Sequence, residues 1–511
     1  MPFGWGAKFC KQWARISLWS FFSDIQVKDI ENADCSHGPI IFAATHHNML
    51  MDPAVLNKAC TGLTHWWAKK EVFIENKYWL KFLYSSGLVP VDRKAKDHTS
   101  LYKETFDVLE LNESLVIFPE GTSHTLPSLG KLKDGASFVA LEYNKALKDY
   151  PSDKLNQHGQ RPKPASIVPV GIVYTDKSKY RSQVIVRFGQ TIHVNDYLSD
   201  YEKDPKTTAK RVTRRIEDSL ISLTINAPDW TIGKGARMAR ELLFPGEYGL
   251  MHDFVPVTQS LIRILKEKPE LAQACYAYRE DLNRLSLRDT DMMDLTPTDA
   301  SSSPATAHMN VNVNHRYVLK DFFMKTHTLL FDLPILLPAF VIHFPLYVMA
   351  RHYTKVQPYE EVLAQEKIFY ASLSVMVIYS SLFLFSWYYV YHLTLYGMLF
   401  TGLTLAILFW MHTEFIDSKY EAFKQWKGAA ILLDAFVLKR DGGRRQQAIM
   451  ALVNRREQLQ KELLDVVWAA AATTDPVSSS SSAPSMVEEH PTSFMQAVRR
   501  VQKALYTRHS F

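Results

Sequence analysis

The sequence predicts an α/β fold, with a central mixed sheet flanked by helices, followed by C-terminal transmembrane helices. The first observation is that short apolar runs alternate with helical stretches between Pro39 and Gly189, a pattern typical of α/β sheet domains. The second is that Phe369–Met411 contains no Lys, Arg, Asp or Glu. This run is about twice the ~20 residues that one membrane span requires.

The composition narrows the class of protein. The chain has 511 residues, enough for several domains, and 59 Lys+Arg against 53 Asp+Glu give a formal net charge of +6. This small excess does not indicate a nucleic-acid partner, but it suits a surface near anionic lipid or a phosphorylated ligand. Four scattered cysteines without metal-ligand spacing predict reduced thiols, and neither a disulfide framework nor a zinc site: Cys10, Cys35, Cys60 and Cys275.

The apolar runs and helical patterns predict the following elements. Strands are expected at Ile40–Ala44, Leu115–Phe118, Ser166–Val173 and Val184–Phe188, and helices at Ala54–Ala59, Tyr78–Ser85, Thr99–Leu111 and Ala136–Leu147. Pro169 interrupts the third strand, which is therefore expected at a sheet edge or a bulge. Ligand chemistry in such sheets lies in the loops after the strands.

The stretch Thr45–Pro53 follows the first predicted strand and contains a histidine and an aspartate. Residues five positions apart do not share a helix face, so a close contact between His47 and Asp52 requires His47 to lie just before the helix. An imidazole oriented by a carboxylate is a standard general base for a hydroxyl. The alternative is that Asp52 only caps a helix that begins with proline. His46 is the weaker candidate, because the residue five positions after it is Met51.

Three further loops carry polar residues. In Gly87–Arg93 an apolar segment ends in a charged pair, and Arg93 could either pair with Asp92 or hold a phosphate with its fork of donors. Phe118–Ser123 leads a buried strand into a turn rich in groups that bind phosphate or cap a helix. The third is the proline-containing run Ile167–Gly171. Each of these three loops alone fits a structural role. Their order and spacing along the chain indicate that they belong to one site.

Taken together, these blocks resemble the glycerolipid acyltransferase superfamily, membrane enzymes that move an acyl chain from a thioester to a glycerol phosphate. The blocks are His47 to Asp52, Gly87 to Arg93, Phe118 to Ser123 and Ile167 to Gly171, and Ala68–Glu71 and Lys133–Ser137 are also similar. The resemblance covers residues 1 to about 225 of the chain. The stretch Lys133–Tyr143 and the membrane-bearing tail look most like the fungal-type glycerol-3-phosphate and dihydroxyacetone-phosphate acyltransferases.

The resemblance implies a role for each of these residues. His47 would take the proton from the acceptor hydroxyl as its oxygen attacks acyl-CoA, and Asp52 would fix the ring tautomer. Since the acceptor is itself the nucleophile, neither a metal nor another cofactor is expected, and acyl-CoA is a co-substrate. Arg93 would bind the acceptor phosphate, and the other implied substrate-binding residues are Glu120, Gly121, Thr122 and Lys133. Glu120 would bind a glycerol hydroxyl or orient Arg93.

The implied function is acylation of glycerol-3-phosphate, with dihydroxyacetone phosphate as a further acceptor, at the sn-1 hydroxyl to give lysophosphatidic acid. This is the first step of glycerophospholipid and triacylglycerol synthesis. Two alternatives stay open: a 1-acylglycerol-3-phosphate acyltransferase that makes phosphatidic acid, and a non-catalytic scaffold that binds membrane lipid. The expected partners are acyl-CoA, the acceptor and membrane lipid, without nucleic acid. The expected location is the endoplasmic reticulum membrane, multi-pass, with the catalytic domain facing the cytosol.

The membrane region has two interpretations. Leu329–Ala350 is apolar and long enough to span, but three prolines would bend it or make it re-entrant: Pro334, Pro338 and Pro345. Phe369–Met411 predicts a hairpin that turns near His392 or Gly397. Three spans would place the C-terminal tail in the lumen, whereas its lysines and arginines favour the cytosol. We therefore favour two spans with both ends in the cytosol.

The predicted organisation begins with an interfacial helix in residues 1–30, where tryptophans are concentrated beside lysines. The acyltransferase catalytic domain is expected at 31–225. The segments that follow are a helical extension at 226–286, a flexible linker at 287–315, the transmembrane region at 316–415, a helical tail at 416–472, a disordered stretch at 473–491 and an amphipathic helix at 492–511.

Overall fold

The apolar run Ile40–Ala44 forms a strand in which all five residues are buried. Such a strand is covered by helices on both faces of its sheet, as in α/β proteins. The computed structural model describes residues 4–60, 62–91, 99–151, 153–244, 253–293, 295 and 315–474. The chain divides into two units, Met1–Ile225 with Pro345–Ile378 and Asn226–Phe344 with Tyr379–Phe511.

Within the described residues, the first unit is built on an eight-stranded mixed sheet, which confirms the predicted fold class. The strands are β1 (Asp24–Lys28), β2 (Ile40–Ala44), β3 (Thr64–Lys69), β4 (Leu88–Val91), β5 (Ser114–Ile117), β6 (Ser166–Tyr174), β7 (Gln183–Phe188) and β8 (Ile192–His193). Their order is β1-β7-β6-β2-β5-β3-β4, and β8 also pairs with β6. The five strands β6, β2, β5, β3 and β4 are parallel, and β7 and β8 are antiparallel to β6.

Helices cover both faces of this sheet. They are α1 (Trp5–Phe21), α2 (Met51–Ala59), α3 (Lys77–Ser85), α4 (Thr99–Glu110), α5 (Gly135–Lys148), α6 (Leu198–Lys203) and α7 (Pro205–Leu223). Successive side chains of a strand point to opposite faces. Accordingly Phe42 lies in a core cluster with residues of α1 and α2, and Ile41 lies in a second cluster with residues of α4, α5 and α7. All four strands and four helices predicted in this region are confirmed, with ends that differ by a few residues.

The expectation that Pro169 marks an edge or a bulge was wrong. β6 lies inside the sheet between β2 and β7, and Pro169 is in register with Ala43 of β2. The carbonyl of Pro169 accepts a hydrogen bond from the N–H of Gly189, which follows β7. The nitrogen of a strand residue points to the same side as its carbonyl, and the β7 ladder begins only at Val170. The missing N–H of proline therefore faces the end of the pairing with β7, and the pairing of β6 with β2 continues through Pro169.

The second unit is helical in its described part. Its helices are α8 (Trp230–Leu243), α9 (Phe254–Glu267), α10 (Pro269–Leu285), α11 (Asp289–Met293), the first part of α12 (His315–Val356), the last part of α13 (Glu360–Phe385), α14 (Leu395–Leu433) and α15 (Arg444–Thr474). A buried ion pair joins Arg456 of α15 to Asp289 of α11 through two hydrogen bonds of 2.9 and 3.1 Å. Tyr278 of α10 donates to the same carboxylate at 2.9 Å, so one acidic group ties three helices together.

Within the described residues, two helical segments are long and apolar enough to cross a membrane, Glu360–Val390 and Leu395–Thr413. The chain turns between them, with His392 and Leu393 at positive φ, which confirms the predicted hairpin near His392. The prolines of Leu329–Ala350 lie within the single helix α12. The predicted linker lies mostly outside the described residues, as do almost all of 473–491 and the whole of 492–511.

Candidate active site

Three loops meet at the carboxyl edge of the sheet because β2, β5 and β6 are adjacent and parallel. We call Thr45–Leu50, after β2, the histidine loop, and Phe118–Thr125, after β5, the glutamate loop. The third segment is Thr175–Ser178, after β6. Several hydrogen bonds join these loops directly, among them one from His124 and one from Asn48. His124 N–H donates to the carbonyl of His46 at 3.3 Å, and the side-chain amide of Asn48 donates to the carbonyl of Lys177 at 3.0 Å.

Asp52, in the first turn of α2, is fully buried and holds the histidine loop in place. Its Oδ2 accepts hydrogen bonds from the backbone N–H groups of His47 and Asn48, both at 2.7 Å, and from Nδ1 of His46 at 2.9 Å. Its Oδ1 accepts from the hydroxyl of Tyr174 at 2.6 Å. A buried carboxylate needs such a set of donors to remain ionised.

The structure therefore corrects the predicted pairing of His47 with Asp52. His47 contacts the carboxylate through its backbone, and the imidazole that bonds it belongs to His46, six positions before Asp52. The argument from spacing failed because the histidine loop is not helical. The backbone amides of His47 and Asn48 both donate to Oδ2 of Asp52. The turn that they form also places the ring of His46 within hydrogen-bond distance of the same oxygen.

The ring of His46 is held on two sides. It stacks on Phe118, with ring centroids 4.1 Å apart and planes 18° apart, and it bonds Asp52 through Nδ1. The side chain is 14% exposed, which leaves a path to solvent. Within the described part of the chain, no residue hydrogen-bonds Nε2 of His46. When Nδ1 donates to the carboxylate, Nε2 carries the free lone pair of a general base.

Two ionisable groups set the electrostatics beneath this ring. Burial alone would raise the pKa of Asp52. This effect is outweighed by the hydrogen bond and positive charge of His46 and by the hydrogen bonds from Tyr174 and the Asn48 amide. The pKa of Asp52 is therefore lowered. Burial and the neighbouring Asp52 raise the pKa of Tyr174 well above its ordinary value. Asp52 is therefore ionised and Tyr174 is a neutral donor at physiological pH.

Glu120 is buried between the histidine loop and the glutamate loop. Its Oε1 accepts from the backbone N–H of His46 at 2.7 Å, and its Oε2 accepts from Gly130 N–H at 2.9 Å and bonds Nε2 of His124. With 1% of its side chain exposed, it lacks the open position that the predicted contact with a glycerol hydroxyl requires. The structure instead assigns Glu120 to positioning the two loops.

Next to Glu120 lie three other predicted substrate-binding residues that the structure describes: the buried Gly121 and the exposed Thr122 and Lys133. Gly121 has φ +78°, and a Cβ at this position would lie 2.7 Å from Nζ of Lys133. The absence of a side chain at Gly121 thus lets the ammonium group lie over the turn. Thr122 and Lys133 are both exposed, as a phosphate site needs. Arg93 lies outside the described residues.

His47, Glu120 and His124 form the one cluster in the described residues whose donor atoms, all within 4.8 Å of one another, could hold a metal ion. Burial lowers the pKa of His47, against the opposing charges of Glu120 and Asp52, and neutral imidazole is the form that binds metals. The existing hydrogen bond between Glu120 and Nε2 of His124 uses two of these groups. A metal would have to displace it or bind the buried and unpartnered Nδ1 of His124.

Sequence reasoning missed three contributors to the site. Tyr174 bonds Asp52 from the end of β6, His124 bonds Glu120, and Lys177 donates to the carbonyl of His47 at 3.3 Å and to Thr125 Oγ1. Burial lowers the pKa of Lys177, opposed mainly by Glu360 and Glu361. His124 directly follows the block Phe118–Ser123 and could have been noticed, but no sequence signal marked Tyr174 or Lys177.

The fold and the site define the class of protein. Residues 24–173 match the family model described as Acyltransferase, and this range contains β1 to most of β6, both named loops and Asp52. By this match residues 24–173 are an acyltransferase domain, and the chain is similar to two fungal proteins named glycerol-3-phosphate O-acyltransferase.

Curated relatives show where this similarity lies. The chain is 30% identical over 210 residues to glycerol-3-phosphate O-acyltransferase 2 of Saccharomyces cerevisiae, which is 40% of this chain and 26% of that protein. It is 27% identical over 208 residues to an uncharacterized acyltransferase of Schizosaccharomyces pombe, 39% of this chain and 29% of the relative. Glycerol-3-phosphate O-acyltransferase 1 of Saccharomyces cerevisiae is 29% identical over 137 residues, 26% of this chain and 16% of the relative. The chain thus spans less than a third of the length of each relative.

A solved structure is also similar, the 1-acyl-sn-glycerophosphate (LPA) acyltransferase PlsC from Thermotoga maritima. The alignment covers 42% of this chain and 78% of that chain, with 17% sequence identity and a TM-score of 0.30.

Proposed function

We propose that this protein transfers an acyl chain from acyl-CoA to the sn-1 hydroxyl of glycerol-3-phosphate, giving lysophosphatidic acid, with dihydroxyacetone phosphate as a second acceptor. The support for this acceptor is the similarity to two yeast proteins named glycerol-3-phosphate O-acyltransferase. The reaction would be the first step of glycerophospholipid and triacylglycerol synthesis.

The observation that carries the proposal is the pair formed by His46 and the buried Asp52. Asp52 accepts a hydrogen bond from Nδ1–H of His46, which leaves the lone pair of Nε2 to take the proton of the acceptor hydroxyl. The hydroxyl oxygen attacks the thioester carbonyl and a tetrahedral intermediate forms. The C–S bond then breaks, and the thiolate of CoA leaves with the proton that His46 had taken. No acyl-enzyme forms, because the acceptor oxygen itself is the nucleophile.

The general base, its partner Asp52 and substrate positioning each contribute to the rate. A positioned general base contributes about 10²–10⁴-fold to the rate. Asp52 stabilises the imidazolium that forms, and Phe118, Tyr174 and the histidine-loop amides keep the pair aligned. The rest of the acceleration must come from holding both substrates in line.

The acceptor phosphate is proposed to bind next to Glu120, at the exposed side chains of Thr122 and Lys133. Lys133 supplies an ammonium group over Gly121, and Thr122 supplies a hydroxyl. Arg93 is proposed to complete this site on the strength of the sequence resemblance. An ammonium group and a guanidinium group together neutralise a phosphate dianion, and the guanidinium adds two directed hydrogen bonds.

The proposed location is the endoplasmic reticulum membrane, as a multi-pass protein with the catalytic unit in the cytosol. Two helical segments long and apolar enough to span a membrane support the multi-pass arrangement. Acyl-CoA is cytosolic, which supports the orientation. The positively charged chain after the second segment also favours the cytosolic side.

The test uses the full chain purified in detergent, with radiolabelled acyl-CoA and each of three acceptors, namely glycerol-3-phosphate, dihydroxyacetone phosphate and 1-acylglycerol-3-phosphate. We expect turnover with the first two. We also expect His46→Ala to lower kcat by about 10²-fold or more, and the matched variant His47→Ala, whose ring does not bond Asp52, to keep kcat within about tenfold of wild type.

Each of the other possible results would support a different acceptor, a different general base or a different class of function. Turnover with 1-acylglycerol-3-phosphate alone would replace the proposed acceptor with that of a phosphatidic-acid-forming enzyme. A large loss in His47→Ala with an active His46→Ala would return the base to His47. Binding of phospholipid vesicles without turnover of any acceptor would identify a non-catalytic scaffold.

A further inference from the structure

The first part of α13 lies in the same unit as the sheet, although its first residue, Glu360, lies about 190 positions beyond Gly171, where the last of the acyltransferase blocks ends. Ala364 and Ile368 of this helix are 0% and 4% exposed, and they belong to the core cluster that also contains Met51 and Val55 of α2. The beginning of α13 therefore shares a hydrophobic core with the helix that carries Asp52.

Polar side chains of α13 hydrogen-bond to the histidine loop, the glutamate loop and the segment Thr175–Ser178. The Oε1 of Gln365 accepts a hydrogen bond from the N–H of Leu50 at 3.2 Å, and its Nε2 lies 3.4 Å from the sulfur of Met49. The Oε2 of Glu361 accepts from Thr125 Oγ1 at 2.7 Å. Lys367 donates to the carbonyl of Ser178 at 2.6 Å. One helix thus contacts all three loops at the carboxyl edge of the sheet.

The contact at Leu50 matters most for the His46–Asp52 pair. Leu50 is the N-cap residue of α2 and has no side-chain cap of its own. The N–H groups at a helix start have no partner within the helix. Gln365 supplies an acceptor to the N-cap N–H, two residues before Asp52, and so fixes the last turn of the histidine loop. The same turn determines whether His46 Nδ1 reaches Oδ2.

We propose that the first turns of α13 are part of the catalytic unit, and that Gln365 and Glu361 are positioning residues that hold the histidine and glutamate loops in the geometry required for proton transfer. The activity part of this inference rests on the proposed function, whereas the loop geometry does not. Because α13 continues as an apolar helix long enough to span a membrane, this arrangement would couple the site to the bilayer that supplies or receives the lipid.

The experiment compares Gln365→Ala with Gln365→Glu, which keeps an oxygen that can accept from Leu50, and with Ser372→Ala, an exposed position on the same helix. All are full-length chains in the same detergent. We expect Gln365→Ala to lower kcat by about 5–30-fold, the effect of one lost hydrogen bond on the barrier. The KM values for acyl-CoA and the acceptor should stay within about twofold. Gln365→Glu should restore most of kcat, and Ser372→Ala should match wild type.

A second measurement does not depend on turnover. Hydrogen–deuterium exchange of backbone amides in residues 46–52 should be about tenfold faster in Gln365→Ala than in wild type, with unchanged exchange in β2 and β5. Glu361→Ala should likewise speed exchange in residues 122–125. Wild-type exchange of residues 46–52 in Gln365→Ala would overturn the inference, as would an equal loss of kcat in Gln365→Ala and Gln365→Glu. If the wild-type protein transfers no acyl chain, the proposed function fails, and the exchange data still decide this inference.

Discussion

The hydroxyl of Tyr174 offers a direct test of how the site is built. Tyr174→Phe removes one of the four hydrogen bonds to the buried carboxylate of Asp52 and leaves the ring that packs beneath it. A hydrogen bond to a charged group contributes about 1.5–3 kcal/mol. For a folding unit of this size, that loss corresponds to a decrease of about 3–10 °C in Tm. We expect kcat to fall by about tenfold or less, because three other donors still hold Asp52.

The pH dependence of this loss follows from the lowered pKa of Asp52. A carboxylate with a lowered folded-state pKa stabilises the protein above its unfolded pKa, about 3.9, and loses that contribution as the pH falls through the folded value. Tyr174→Phe removes one cause of the lowering. The Tm difference between variant and wild type should therefore be constant near neutral pH and shrink below about pH 4.

The assay is thermal unfolding in detergent over a pH series, together with kcat at neutral pH. The matched control is Tyr143→Phe, another buried tyrosine, whose hydroxyl donates to the neutral carbonyl of Lys163 at 3.2 Å. The control should lose less stability, and its loss should not depend on pH. An unchanged Tm and kcat in Tyr174→Phe, or a Tm loss that persists unchanged in acid, would refute the reasoning.

Three further predictions concern the proposed phosphate site and whether activity requires a metal ion. Gly121→Ala should destabilise the protein by about 1–2 kcal/mol and raise the acceptor KM, because φ is +78° and the new Cβ would displace Lys133; a variant with wild-type Tm and KM would contradict this. Arg93→Ala should chiefly raise the acceptor KM, measured by initial rates, and an unchanged value would reject its phosphate role. Removal of metals with EDTA should leave kcat unchanged, because His46 supplies the base; a loss that one added divalent ion restores would instead identify His47, Glu120 and His124 as a metal site.

Sequence patterns predicted those elements whose own residues carry a strong signal. β2, β5, β6 and β7 are apolar runs buried nearly throughout, and burial on both faces requires such runs wherever they lie in the chain. β1, β3, β4 and the two-residue β8 were missed. β1 alternates apolar with polar or charged residues in only five positions, and β4 is a four-residue strand that contains a proline. Such strands become recognisable only through their neighbours in the sheet.

The choice of histidine shows where pattern reasoning stops. Spacing rules apply to helices and strands, whereas residues 46–50 form a turn whose path depends on hydrogen bonds to Asp52 and Glu120. The ring that reaches Oδ2 is therefore set by the path of the backbone and not by the distance in sequence. The same limit applies to Glu120, which the sequence predicts as a substrate-binding residue and which the structure buries against the histidine loop.

The sequence alone determined the α/β class, the hairpin of apolar helices and the chemical composition of the site, since burial, membrane length and residue type are local properties. Only the tertiary structure decided which imidazole hydrogen-bonds Asp52. It also brings Tyr174 of β6 and Gln365 of α13 into contact with the residues of this site. These residues lie 122 and 315 positions from their partners in the chain. Contacts over such separations arise from the order of strands in the sheet and from the packing of a distant helix, which no local pattern records.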